Sequence, residues 1–337
     1  MLENNKINIT VIGGGSGTFN VLYGLKNIES NFEKNLAAII AMTDSGGTTG
    51  EIRDKYGVLP AGDIRRGLAA LAEDTKFVRQ LFEYKFEGEK GTIGGNKMGN
   101  ILLGALEKIK GNFNDGLKEA HKMFKVKGKV IPVTLEDVHL GVKFEDGTEI
   151  IGEKNIDVSD KNPGEKTHNT NQNIVEAFLV GGEGKINPDA SEVIISSDII
   201  ILGPGDFYTS IIPNLLSPGM KEALSKTTAK IVYVCNIMAD KGETTNYELT
   251  DFIDNIEKYA GKVIDYVLVN SGDISDELVK KYKIEGKKPV KCKKEMCFDG
   301  KKYKVIERDF IDESDYVRHN PIKLSKAIMD IAEGWIK

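Results

Sequence analysis

An apolar run at residues 7–12, Ile-Asn-Ile-Thr-Val-Ile, opens without a break into Gly13-Gly14-Gly15-Ser16-Gly17-Thr18, and this passage constrains the local fold more than any other in the chain. Clustered glycines permit a tight turn with a bare backbone, and Val21, Leu22, Leu25 and Ile28 then follow at the spacing of a helix. Such a helix aims its positive N-terminal end and its free N–H groups at the loop, which predicts an anion of the phosphate kind at Gly13, Gly14, Gly15, Ser16, Gly17 and Thr18. The spacing Gly13-x-Gly15-x-x-Thr18 lacks the third glycine of the dinucleotide fingerprint, so a nicotinamide dinucleotide is the weaker candidate among phosphate ligands.

Further apolar runs of strand length stand at residues 37–42, 199–202, 231–235 and 263–269, several with helix-patterned segments between them. Continuous apolarity marks strands buried on both faces. The expected core is therefore α/β and Rossmann-like, a doubly wound, mostly parallel sheet with helices on both faces. The runs end in or beside Gly13, Asp44, Gly203, Asn236 and Asn270, which puts small and polar residues at the carboxyl edge where open parallel sheets bind ligands. Residues 1–337 read as a single domain. Residues 128–190 are inserted in it as a small β-hairpin appendage, signalled by Asp146-Gly147, with a polar loop at 155–173. Residues 322–336, with Leu324, Ala327, Ile328, Ile331 and Trp335, read as an amphipathic C-terminal helix.

A net charge of −5 supplies no broad basic surface, so nucleic acid is not an expected partner. No apolar run approaches the ~20 residues of a membrane helix, and a cytoplasmic protein is expected. Cys235 lies in an apolar strand, and Cys292 and Cys297 lie in a lysine-rich stretch without a second Cys/His pair at zinc spacing. All three read as reduced and structural. Among the histidines, only His319, beside Arg318 and before Asn320-Pro321, has a loop-like setting near a helix start; His121, His139 and His168 read as structural or solvated.

The second strand leads into Asp44-Ser45-Gly46-Gly47-Thr48-Thr49-Gly50, a carboxylate followed by a hydroxyl-rich glycine loop. Asp44 there would hold ribose hydroxyls, position Mg²⁺ or an acceptor hydroxyl beside a pyrophosphate, or close an Asx-turn. Leu59-Pro60-Ala61-Gly62-Asp63-Ile64-Arg65-Arg66 reads as a helix start with Asp63 as N-cap and Ile64, Leu68 and Leu71 buried. Two arginines in a first turn oppose the helix dipole by roughly 0.3–1 kcal/mol each, which an anion at that end or nearby carboxylates would relieve. Gly94-Gly95-Asn96-Lys97-Met98-Gly99-Asn100 leads into another apolar helix and offers the Asn100 amide to the crevice. Gly203-Pro204-Gly205-Asp206-Phe207-Tyr208 supplies one more strand-to-glycine transition. Gly-x-x-x-x-Gly-Lys-Ser/Thr, His-Glu-x-x-His and Gly-x-Ser-x-Gly are all missing, which leaves Asp44, Asp63 and Asp206 as candidates for chemistry, with Asp44 and Asp206 as weak metal candidates.

Taken in order, Ile12-Gly-Gly-Gly-Ser-Gly-Thr18, Asp44-Ser-Gly-Gly-Thr-Thr-Gly50, Leu59-Pro-Ala-Gly-Asp-Ile-Arg65 and Leu202-Gly-Pro-Gly-Asp-Phe-Tyr-Thr-Ser-Ile-Ile-Pro-Asn-Leu-Leu216 resemble the gluconeogenesis factor family. The likeness to these YvcK-type, UDP-N-acetylglucosamine-binding proteins continues through Val234-Cys-Asn-Ile-Met238, Gly242-Glu-Thr244 and Val317-Arg-His-Asn-Pro321. The same superfamily includes 2-phospho-L-lactate transferase CofD, which joins a phospholactate-bearing guanosine diphosphate to a deazaflavin with help from Mg²⁺. The resemblance implies a Rossmann-like fold, self-association as a homo-oligomer such as a dimer, UDP-sugar binding, and a role in carbon metabolism and in cell-shape or cell-wall control. It also implies ligand contacts at Tyr282 and Arg318, where an aromatic face suits a base or sugar and a guanidinium suits a phosphate. Together with the loops this makes the expected ligand site Gly13 to Thr18, Asp44, Gly46, Gly47, Asp63, Arg65, Asn100, Gly203, Gly205, Tyr208, Asn236, Tyr282 and Arg318. Asn96 stands where the family has His, and Thr48-Thr49 where it has Ser-Ser. The open readings are a UDP-sugar-binding regulator, a CofD-like Mg²⁺-dependent transferase, and a NAD(P)-binding protein.

Overall fold

A computed structural model describes residues 6–88, 94–156, 169, 171–290, 303–313 and 316–334. His168, Cys292, Cys297 and Trp335 lie outside them. In chain order the strands are β1 (Lys6–Gly13), β2 (Glu33–Ile40), β3 (Lys129–Pro132), β4 (His139–Phe144), β5 (Glu149–Ile151), β6 (Ile174–Val180), β7 (Ile199–Leu202), β8 (Lys230–Val234), β9 (Met238–Ala239), β10 (Tyr266–Asn270), β11 (Lys288–Pro289), β12 (Lys304–Arg308), β13 (Ile311–Glu313) and β14 (Val317–His319). Seven of them form one sheet in the order β12-β10-β8-β7-β1-β2-β3, with every neighbouring pair parallel. The chain winds outward from β1 through β2 to β3, and then outward on the other side from β7 through β8 and β10 to β12. Strand order therefore reverses between β1 and β7, where Ile9 pairs with Ile199 and Ile12 with Leu202. This is the doubly wound α/β architecture expected.

Helices on both faces explain why Ile9, Val11 and Ile12 of β1 and all of β7 are buried. Removing each such side chain from water contributes roughly 1.5–3 kcal/mol. The early helices are α1 (Gly15–Asn27), α2 (Gly47–Tyr56), α3 (Gly62–Leu71), α4 (Thr75–Glu83) and α5 (Met98–Lys110). Ile64, Leu68 and Leu71 of α3 are fully buried, as expected from their spacing. Asp63 is not the cap of α3. Ala61 holds that position and Asp63 lies in the first turn.

Two sheet boundaries differ from the sequence reading. Residues 129–132 belong to the central sheet as its edge strand, because Val130 and Ile131 are buried beneath α3, where Gly67 brings the helix backbone down onto Val130. The appendage proper is the antiparallel sheet β5-β4-β6, with Asp146-Gly147 at the β4–β5 turn as its dipeptide predicted. At the other edge, β12 carries Lys304, Glu307 and Arg308, and these charges hide a strand whose apolar content is only Val305 and Ile306. The C-terminal helix runs over Pro321–Ala332, is capped by the Asn320 side chain, and buries Leu324, Ala327, Ile328 and Ile331.

A close backbone approach made by a glycine lies at the reversal point. A Cβ added to Gly17 would stand 2.1 Å from the Pro204 carbonyl oxygen, so the first turn of α1 rests directly on the Gly203-Pro204-Gly205 loop. Gly17→Ala must push the two apart. We expect it to cost on the order of 1–3 kcal/mol as a lower urea midpoint, whereas Ser16→Ala at the exposed neighbouring position stays within about 0.5 kcal/mol. Equal midpoints for the two variants would show that the loop yields freely.

Candidate functional site

A cleft lies over the reversal point, floored by Ser16, Gly17 and Gly205 and walled by Asn236, Tyr282 and Arg318. Helix α1 starts at Gly15, whose φ of +65° favours glycine, and Gly14 at its N-cap offers no side-chain partner to the first-turn N–H groups. On the outer elements the pattern is different: Asp74 caps α4 and Asn112 caps the helix Phe113–Met123. Ser16 and Gly17 of this uncapped first turn line the cleft, and among the described residues no side chain caps the helix.

Side-chain amides hold the loops in place. Asn236 donates to the Gly205 carbonyl at 2.8 Å, and its own Oδ1 is buried without a partner among the described residues. Asn214 donates to the carbonyls of Gly13 at 3.2 Å and Ser210 at 2.9 Å. Glu243 accepts from the Tyr208 N–H at 3.0 Å and the Thr209 hydroxyl at 3.2 Å, anchoring the segment that follows Asp206. Tyr208 itself is an interior residue: its hydroxyl lies 2.8 Å from that of Tyr247 and donates to the Ile174 carbonyl, and burial drives its pKa far up.

The opposite wall is built by β14 and the helix Asp276–Ile284. Tyr282 is buried there, and its hydroxyl accepts from the Val317 N–H at 3.0 Å, so the ring is fixed in orientation. Arg318 is exposed, with its guanidinium over the Tyr316 ring at 5.5 Å. His319 is buried, and burial lowers its pKa to about 4 against the opposing bond to the Cys235 backbone, so it is neutral at pH 7. Lys287 pairs with Asp240 at 2.8 Å. Burial disfavours its charge, yet Asp240 holds its pKa above the ordinary value.

Beside the cleft lies an acidic nest. Asp44 accepts from the Gly46 N–H at 2.9 Å in an Asx-turn, and its carboxylate packs so closely on Gly62 that a Cβ there would be 2.2 Å away. Asp63 packs on Gly14 in the same manner, at 2.3 Å. Burial first, and then the charge of Asp63, raises the Asp44 pKa. Glu153, from the appendage, faces the same nest. Burial and the charges of Asp44 and Asp63 raise its pKa well above the usual range, and its Oε2 has no partner among the described residues. Asn100 donates to the hydroxyls of Thr48 at 3.2 Å and Thr49 at 3.3 Å, bracing the start of α2 at Gly46 and Gly47. Among the described residues no group of three or more His, Cys, Asp or Glu side chains is spaced to hold a metal ion.

The two arginines of α3 have carboxylate partners within the protein. Arg65 is buried and ion-paired to Glu83, which also takes Lys97 at 2.8 Å, and Arg66 pairs with Asp63 at 2.5 Å. Burial would raise the Glu83 pKa, but Lys97 and Arg65 bring it down to about 2. Both arginines line a separate groove next to the cleft.

The expected residues thus fall into groups. Ser16, Gly17, Gly205, Asp206, Asn236, Tyr282 and Arg318 line the cleft. Gly13, Gly14, Gly15, Thr18 and Gly203 belong to the turns behind it. Asp44, Gly46, Gly47, Asp63 and Asn100 surround the nest, Arg65 faces the groove, and Tyr208 lies in the interior. Asn20, Asp240 and Lys287 also line the cleft, and Glu153 completes the nest. Lys287 sits in a lysine-rich stretch and Glu153 in the appendage, so neither carries a motif that marks it.

The sequence pattern of the family described as 2-phospho-L-lactate transferase CofD matches residues 9–311. The chain is 36% identical over 331 residues to the gluconeogenesis factor of Halalkalibacterium halodurans, covering 96% of each chain. It is 35% identical over 334 residues to that of Bacillus subtilis, covering 97% of this chain and 98% of the other. A crystal structure of a UPF0052-family protein from Bacillus halodurans matches with a TM-score of 0.85 at 36% identity, over 96% of this chain and 99% of that one.

The raised pKa of Asp44 has a definite consequence for stability. A carboxyl group whose pKa is higher in the folded than in the unfolded chain destabilises the fold as pH rises through that folded value. Asp44→Asn should therefore raise the melting temperature of the ligand-free protein at pH 8, with the gain shrinking as pH falls from the raised folded value toward the ordinary carboxyl value of 3.8 and absent below it. Glu153→Gln should act in the same sense. A lower melting temperature for both variants at pH 8 would show that the carboxylates are stabilised by a partner.

Proposed function

We propose, for a chain that belongs to the 2-phospho-L-lactate transferase CofD family and within it to the gluconeogenesis factors, that it is a UDP-sugar-binding regulator whose ligand is UDP-N-acetylglucosamine. In this reading it acts in the cytoplasm, as a homodimer, on carbon metabolism and on cell-shape or cell-wall control. The observation that carries the reading is the cleft at the β1–β7 reversal point, where uncapped first-turn donors of α1 lie opposite Arg318 and Tyr282. The diphosphate would take the N–H groups at Ser16 and Gly17 and the Arg318 guanidinium. Asn236 Oδ1 offers an acceptor to a ligand N–H or hydroxyl, and the fixed Tyr282 ring offers a wall for the base or sugar. No helix among the described residues is long and apolar enough to cross a membrane.

The acidic nest favours a second reading, a CofD-like transferase. Mg²⁺ is usually held by one or two carboxylates plus substrate phosphates, and Asp44 and Asp63 supply two neighbouring half-buried carboxylates whose repulsion a cation would relieve. Bound there, Mg²⁺ would neutralise charge on a diphosphate. Asp44 would orient the ion or an acceptor hydroxyl, and Asp63 would remain tied to Arg66.

Titration calorimetry should give a micromolar dissociation constant for UDP-N-acetylglucosamine, about −8 kcal/mol, weakened at least about tenfold by Arg318→Ala. Asp44→Asn should retain the affinity, since it removes a negative charge near the diphosphate, and should still complement a deletion strain. No heat with any UDP-sugar at millimolar concentration, with heat from NAD, would overturn the reading. A folded Asp44→Asn that binds normally yet fails to complement would favour the transferase.

A further inference from the structure

We propose that the groove next to the cleft is a binding site for a phosphorylated small molecule with a flat, ring-like body. It encloses about 760 Å³, within the range of small-molecule sites, and is lined from α1, α3, α4 and the neighbourhood of the β13–β14 hairpin. Its charge is anomalous. Among the described residues five cationic side chains line it, Arg65, Arg66, Lys76, Arg79 and Arg318, against the two carboxylates Glu83 and Asp312, in a chain whose formal charge is −5. Arg65 and Arg66 are answered by Glu83 and Asp63. Lys76, Arg79 and Arg318 form no ion pair with a carboxylate among the described residues. Like charges gathered in one concave wall repel one another in the empty protein and attract an anion.

The apolar side of the groove is equally specific. Phe19 and Tyr23 lie one turn apart on α1 with parallel rings, centroids 5.8 Å apart, and Arg79 is held over Phe19 at 5.0 Å. A guanidinium flattened on an aromatic ring keeps its edge donors free for phosphate oxygens, while its plane and the rings beside it form a wall for an apolar body. The cleft has a different wall, with Asp206, Asp240 and Glu243 in its lining. Ser16, Asn20 and Arg318 line both concavities, so a ligand in the groove would meet the occupant of the cleft at Arg318. This assignment does not depend on what occupies the cleft.

Phenyl phosphate, titrated calorimetrically into the full chain with inorganic phosphate as the ring-free comparison, tests the proposal. Phenyl phosphate should bind at least about tenfold more tightly than inorganic phosphate, and the Lys76→Ala/Arg79→Ala double variant should weaken it at least about tenfold. Both residues are exposed on α4, so the variant should keep its fold, and circular dichroism checks this. Lys287→Ala, which alters the cleft alone, should leave phenyl phosphate binding within about twofold, and saturating UDP should not abolish it. Undiminished binding by the double variant, complete competition by UDP, or no heat from millimolar phenyl phosphate would overturn the assignment. Loss of UDP-sugar binding with phenyl phosphate binding intact would count against the cleft reading only.

Discussion

The contact between the first turn of α1 and the Gly203-Pro204-Gly205 loop underlies the rest of the structure. It exists because two chain segments leave adjacent parallel strands and turn to opposite sides, and a fold that reverses direction between β1 and β7 must leave a crevice there. Gly17 lets the two backbones touch, and Asn214 and Asn236 tie the carbonyls of Gly13 and Gly205 in place. With those carbonyls engaged, the crevice presents first-turn N–H groups, side-chain amides and the cations Lys287 and Arg318, set against the carboxylates of Asp206, Asp240 and Glu243.

Charge then divides the neighbourhood of α1. On one side Asp44, Asp63 and Glu153 are crowded: burial and the charge of Asp63 disfavour ionisation of Asp44, and burial with the charges of Asp44 and Asp63 disfavours ionisation of Glu153. On the other side Lys76, Arg79 and Arg318 gather around Phe19 and Tyr23. A helix dipole alone is a weak, screened influence. Flanked by an acidic nest and a cationic groove, it becomes part of a field that varies steeply over a short distance and would orient a ligand carrying a charged end and a neutral end.

Arg65 shows how a local anomaly can have a tertiary explanation. Two cations in the first turn of α3 look like a response to a bound anion when only the helix is considered. The Glu83 carboxylate, brought over by α4 and held also by Lys97, answers Arg65 from inside the protein, and Asp63 answers Arg66. Asn100 is a similar case, since the amide offered to the crevice braces Thr48 and Thr49 instead.

The sequence by itself determined the α/β class, the helix that follows Gly13 to Thr18 and the Asp146-Gly147 turn, because each depends on hydrophobic period or on a backbone conformation that few residues adopt. The family was legible from the order of motifs, and the carboxyl-edge position of the cleft from where the apolar runs end. Only the tertiary structure decided that residues 129–132 complete the central sheet, that Tyr208 is interior, and that Glu153 and Lys287 reach the site from distant segments. Edge strands with mixed charge and single ionisable residues carry no periodic signal. Their partners lie far away in the chain, so their roles emerge only when packing brings those partners within reach.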